Sequence, residues 1–202
     1  MLKQMAATRE QPEVNRAIDE SVIVACQHGD RDALRVLFEK YKDRVYSIAL
    51  YSLSGNEAAA ADVTQQVFLK LISRISQFRG DAEFATWLYR LVVNTCWDER
   101  RKEKRLVPFE EFGSMRNLRR EASQATRYAQ QELSEHVQAA IAELSPKLRL
   151  PILLKYIEGF SYEEIAAVLG CSKGTVASRL NRGHKALARR LEWLRGQAVI
   201  EE

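Results

Sequence analysis

Residues 161–187 read SYEEIAAVLGCSKGTVASRLNRGHKAL. Ser161 and Glu164 have capping-box spacing: the serine hydroxyl can accept from an orphan amide of the first turn while the glutamate reaches back. A short helix is therefore expected to start here, with Ile165, Ala166 and Leu169 on its apolar side. Gly170 suits a chain reversal that a Cβ would hinder, and Ser172 can cap a second helix. This is helix-turn-helix spacing. In the second helix Val176, Leu180 and Leu187 share one face at about 100° per residue and are expected to pack inward. Opposite them lie Gly174, Thr175, Ser178, Asn181, Arg182 and Lys185, with Arg179 on the flank. Small, hydrogen-bonding and cationic groups are what a helix in a DNA major groove needs for close approach, base-edge contacts and phosphate contacts. An ordinary helical hairpin with a solvated basic face is the alternative. Turn glycine, cap, inner residues and outer residues all agree with the DNA-binding reading.

The chain has 202 residues, 46% hydrophobic and 29% charged, enough for one large domain or two small ones with real cores. A net charge of +4 fits a nucleic-acid partner only weakly. Charge arranged on particular helices says more. Cys26, Cys96 and Cys171 are odd in number, far apart and embedded in helical patterns, which points to a reducing cytoplasm and buried structural thiols. Neither they nor His28, His136 and His184 have metal-ligand spacing, so no metal site and no cofactor is expected. No apolar run is long enough to span a bilayer, and residues 1–18 read as a polar tail without a signal-peptide core.

From 19 to 104 the pattern is helical almost throughout, without strand alternation. Leu34, Leu37, Phe38, Tyr41, Val45, Ile48 and Ala49 recur at helical spacing after an Asp-rich start. Val63, Val67, Leu71 and Ile75 form a four-residue ladder, "QFRGD" breaks the pattern, and "AEFATWLYRLVVNTCWDERRKEKR" resumes it. Between 105 and 128 periodicity is lost around Pro108 and Gly113, the mark of a linker. Helix returns with Leu133, Val137, Ile141 and Leu144 and stops before Ser145 and Pro146, a cap followed by proline at the first helical position. Pro151 falls inside the next helix and should kink it or mark an irregularity. The whole reads as all-α: two small helical domains joined by a flexible linker, the second (129–195) containing the helix-turn-helix and followed by a short tail, 196–202.

Arg90, Asn94, Trp97 and Arg101, at steps of four, three and four, make one stripe on the N-terminal block's last helix. Aromatics interleaved with Arg and Asn suit unstacked bases, which need a flat partner and edge-specific hydrogen bonds. Phe78 could lie beside the stripe with Phe84, Trp87 and Tyr89 nearby, although Phe84, Trp87, Leu88 and Leu91 fit a core better than a base-stacking surface. On the ladder helix Asp62, Gln65, Gln66 and Lys70 face away from the ladder, as a solvated surface or as one that docks on another helix.

The motifs "ADVTQQVFLKLI", "FRGDAEFATWLYRLVVNTCWDERRK" and "LSPKLRLPILLKYIEGFSYEEIAAVLGCSKGTVASRLNRG", in this order across roughly residues 20–190, resemble the extracytoplasmic-function sigma factors of bacterial RNA polymerase. The resemblance implies a non-catalytic specificity subunit. Its C-terminal helix-turn-helix would read the minus-35 element as duplex, and its N-terminal block the minus-10 element as a melted strand. Asp62, Gln65, Gln66 and Phe68 match the helix that docks on the coiled coil of the beta-prime subunit; Gln66 stands where family members usually carry Glu. Arg74, Phe78, Asn94 and Asp98 match the pocket for a flipped minus-10 base, next to the stripe of Arg90, Trp97 and Arg101. Ala177, Ser178, Arg179, Asn181 and Arg182 match the minus-35 reader, with Lys173 and Thr175 near the helix start as phosphate contacts. The linker, with Glu110 and Glu111, resembles segments that run through the polymerase's catalytic cleft. Implied partners are core RNA polymerase, through beta-prime and the beta flap, promoter DNA and an anti-sigma factor. No homo-oligomer is required. The rivals are a helix-turn-helix repressor or activator, which usually needs a two-fold dimer, and an interaction protein that never touches DNA.

Overall fold

The computed structural model describes residues 18–106 and 136–192, and within them every regular element is helical. Helix α1 is Glu20–Gln27, α2 Arg31–Ser52, α3 Glu57–Arg74, followed by a 3₁₀ turn at Ile75–Gln77, and α4 Phe84–Leu106. A helical segment over 136–142 (α5) precedes α6 (Pro146–Tyr156), α7 (Tyr162–Leu169) and α8 (Lys173–Arg190). Helix α4 thus runs two residues past the expected boundary at 104. The tail expected at 1–18, apart from Ile18, the linker from 107 with Glu110 and Glu111, Leu133, and the final tail lie outside the described residues.

Local chemistry explains most of the boundaries. Asp30 accepts from the amides of Asp32 (2.8 Å) and Ala33 (3.0 Å) to start α2, and Asn56 accepts from Ala59 (3.1 Å) to start α3. Ser145 occupies the N-cap of α6 ahead of Pro146, but its hydroxyl makes no capping bond; its carbonyl instead receives the amides of Leu148 and Arg149, each at 2.9 Å. Helix α6 continues through Pro151, which is buried. The residue costs the helix one amide donor and does not end it.

Helices α2, α3 and α4 pack around Leu37, Tyr41, Val45, Val63, Val67, Leu88 and Val92, all fully buried. The C-terminal body closes around Leu153, Leu154, Ile165, Val176 and Leu180. Gly183 lets α8 approach α6 closely: a Cβ there would stand 3.1 Å from Cγ1 of Ile152.

The two bodies pack together, α4 against α7 and α2 against α6. Tyr89 and Phe160, both fully buried, meet edge to face at 5.3 Å, and the Tyr89 hydroxyl donates to Oε2 of Glu158 at 2.5 Å. Burial, then the Glu158 charge, push the Tyr89 phenol far above its usual range. Arg149, 3% exposed, donates to the carbonyls of Ala142 and Leu144 in its own body and of Tyr51 in the other. Burial, with the Arg100 charge nearby, brings its guanidinium down to about 10. Arg100 donates to the Ser52 carbonyl at 2.8 Å, so two cations serve the carbonyl end of α2, where the helix dipole favours positive charge.

Candidate nucleic-acid interface

The helix-turn-helix is built as its sequence spacing requires. Ser161 accepts from the Glu164 amide at 3.1 Å while the Glu164 carboxylate accepts from the Ser161 amide at 2.7 Å. Gly170 holds the turn at φ +61°, in the left-handed region where a Cβ is strained, and Ser172 accepts from the Thr175 amide at 3.2 Å. Val176 and Leu180 are buried, and Leu187 is half-buried against the core. Ser178, Asn181, Arg182 and Lys185 stand on the exposed face, with Ala177 half-buried beside them.

Three residues of this reader are engaged within the protein. Lys173 pairs with Glu163, so the expected phosphate contact begins as an ion pair between α7 and α8. The Thr175 hydroxyl is hydrogen-bonded to that of Ser172 at 2.9 Å. Arg179 is half-buried, its Nη1 3.8 Å from Sγ of Cys171. Cys171 is correspondingly only half-buried, unlike the expectation of three buried thiols; Cys26 and Cys96 are buried, and burial raises both, Cys96 to about 11.

The second surface runs along α4. Arg90, Asn94, Trp97, Asp98 and Arg101 are all exposed and follow one another along one side of the helix. Asp98 accepts from Arg101 at 2.6 Å and lies 4.0 Å from the Lys70 ammonium, which also donates to the Thr95 hydroxyl at 3.0 Å. Phe78 is half-buried, its ring edge-on to Phe84 at 5.4 Å and 5.7 Å from Trp87. Phe84 and Leu88 belong to the core, while Trp87 and Leu91 are half-buried at its rim. Arg74 is exposed at the end of α3.

On α3, Asp62 and Gln65 are exposed and Gln66 is half-buried. Phe68 is 8% exposed, its ring 4.8 Å from that of Phe38, which removes it from the accessible face. Leu69 and Ile72, 60% and 52% exposed, occupy that face instead, in line with Asp62 and Gln65. The sequence carried a signal for them: "VFLKLI" holds more apolar residues than the ladder through Val67 and Leu71 can bury.

Trp97 and Arg100 of α4 share a cleft of about 530 Å³ with Pro146, Leu150, Cys171 and Arg179 of the other body. One residue from each candidate DNA reader therefore faces the same space. Among the described residues no helix is long and apolar enough to cross a membrane, and no cluster of His, Cys, Asp or Glu could hold a metal ion.

Comparison with known proteins finds one family match in each helical body. Residues 37–106 match the family "Sigma-70 region 2" and residues 134–187 the family "Sigma-70, region 4". The chain is 33% identical over 186 residues to the ECF RNA polymerase sigma-E factor of Escherichia coli K12, covering 86% of this chain and 94% of that protein. It is 30% identical to the sigma-E factor of Haemophilus influenzae over 182 residues, covering 86% and 95%. Among solved structures it is similar to CnrH in complex with the cytosolic domain of CnrY, with a TM-score of 0.62, 25% identity and coverage of 89% and 98% of the two chains. The sigma factor RpoE in complex with the anti-sigma factor NepR from Bartonella quintana shares its fold, with a TM-score of 0.63, 24% identity and coverage of 78% and 96%. Two family matches in register with the two helical bodies, and relatives aligned over almost their full length, place the chain among the extracytoplasmic-function sigma factors of the sigma-70 family.

Proposed function

We propose that the chain binds core RNA polymerase in the cytoplasm and divides promoter reading between its two helical bodies, without catalysing a reaction itself. The observation that carries this is the pair of separate exposed faces, one on α4 with Asn94 and Trp97, the other on α8 with Asn181 and Arg182. The α8 face has the character of a major-groove reader, in which an arginine can take guanine or clamp phosphate. The α4 stripe, with Phe78 and Trp97 as flat surfaces and Asn94 and Asp98 as edge partners, suits bases taken out of the stack. A reader that binds only the unpaired strand shifts the opening equilibrium toward melted DNA. Docking on the beta-prime coiled coil falls to Asp62, Gln65, Leu69 and Ile72 with Gln66 at the flank, and Phe68 supports that helix from within. Region 4 would meet the beta flap. An anti-sigma factor as regulator is supported by the complexes in which the similar structures were solved.

The test is run-off transcription of fragmented genomic DNA from the source organism by core polymerase, with and without this protein. New discrete transcripts sharing two spaced upstream motifs are expected. Specific duplex binding with no new transcripts would leave a conventional helix-turn-helix regulator instead. Arg182→Ala should weaken recruitment to duplex promoters, while Trp97→Ala should spare recruitment and slow opening.

A further inference from the structure

Gln27, the last residue of α1, reaches across 51 positions of sequence to the loop that carries Phe78. Its side-chain Nε2 donates to the carbonyl of Phe78 at 2.9 Å and to that of Ile75 at 3.1 Å. Both neighbours are carbonyl oxygens, which only accept, so the nitrogen of the carboxamide must be the atom that faces them. The two bonds span the 3₁₀ turn Ile75–Gln77 from its first residue to its C-cap. Helix α1 is itself anchored by the buried side chains of Ile23 and Cys26, which makes Gln27 a fixed support rather than a free surface amide.

Beyond Phe78 the chain is exposed from Arg79 to Glu83, with Gly80 at φ +79°. The backbone position of Phe78 is therefore set from the α1 side by Gln27, and its ring from the α4 side by Phe84 and Trp87. Stacking tolerates any base, because every base has a flat face. Choice among bases depends on where the stacked base presents its edge, and so on where the stacking ring is held relative to Asn94 and Asp98.

We propose that Gln27 is a positioning residue for the single-strand reader: by splinting the turn before Phe78 it fixes the register between the stacking ring and the edge partners on α4. This rests on the functional reading above. Gln27→Glu keeps shape and size but replaces the donor with an acceptor facing two carbonyls. Gln27→Met keeps the length and removes both hydrogen bonds. Each full-length variant is assembled with core polymerase. Its binding is measured to single-stranded oligonucleotides carrying the minus-10 motif found by run-off, with all four bases at each position, and to minus-35 duplex as a check of folding.

The expected result is unchanged minus-35 binding in both variants. Discrimination between best and worst base should fall roughly tenfold at the position stacked on Phe78, with selectivity elsewhere intact. Wild-type selectivity in both variants overturns the proposal while leaving the functional reading in place. A uniform loss at every position together with minus-35 binding also overturns it, because that is the pattern of a merely structural residue. If the wild-type assembly shows no preference for single strands, the functional reading fails and takes this inference with it.

Discussion

Helices α4 and α8 each present an exposed polar face, the two proposed DNA readers, and their starts are positioned by different kinds of contact. The start of helix α8 is set by its neighbours in sequence, Gly170 at φ +61° and the Ser172 cap making the turn after the helix that the Ser161–Glu164 box begins. Its later turns also meet Tyr156 and Glu143 through His184 and Arg190. The stripe on α4 is aimed by remote partners. Lys70 bonds Thr95 across 25 positions, Arg100 bonds the Ser52 carbonyl across 48, and Gln27 holds the Phe78 loop across 51. A local device can be damaged without touching the rest of the fold. A remote one transmits any shift of α1 or α3 to the α4 stripe.

The contrast can be broken most severely where the bodies meet. Phe160→Ala removes a fully buried ring from the Tyr89 contact and should cost about 3 to 5 kcal/mol. Chemical denaturation followed at probes in both bodies should show both weakened. If only the C-terminal body loses stability, the inter-body packing contributes little. Gly170→Ala meets no atom within 4 Å, so its effect is backbone strain alone, about 1 to 2 kcal/mol. Minus-35 duplex binding should suffer and single-strand binding should not; equal loss of both would erase the local-versus-remote distinction. Ser161→Ala removes one half of the capping box, about 1 kcal/mol, readable as a lower denaturation midpoint with the same slope.

The smallest effect concerns His184, whose Nε2 lies 2.9 Å from the Tyr156 hydroxyl and whose pKa burial holds below the ordinary 6.5. The unfolded chain then takes up its proton first as pH falls. The associated stability is present above about pH 6.5 and is lost on acidification, weakly, since much of the ring meets solvent. A His184→Gln variant should lack this component of the pH profile, and an unchanged profile would remove the assignment.

The same contrast decides what could be read from sequence. Caps, turn glycine and inner face of the helix-turn-helix are short-range, and each appears where its spacing puts it. The α4 stripe was legible as a stripe because helical periodicity places Arg90, Asn94, Trp97 and Arg101 together whatever surrounds them. What escaped depends on tertiary neighbours: Phe68 sits in the docking motif, but packing leaves it only 8% exposed, its ring edge-on to the more exposed Phe38. Leu69 and Ile72 were legible only as an excess of apolar residues in "VFLKLI", and their exposure follows from the packing of the ladder. No spacing rule links Gln27 to Phe78 or Arg149 to the Tyr51 carbonyl, because those pairs exist only after the helices have packed.

Trp97 gives this architecture an optical consequence. Its indole is 37% exposed and lines the cleft shared with Arg179, whereas Trp87 sits in the aromatic cluster around Phe78 and Phe84. An indole between two bodies changes its emission colour and its access to a soluble quencher when the bodies separate, while one inside a single body does not. The protein thus carries an intrinsic fluorophore at the seam, and Trp97→Phe supplies the blank against which its signal can be read without any attached dye.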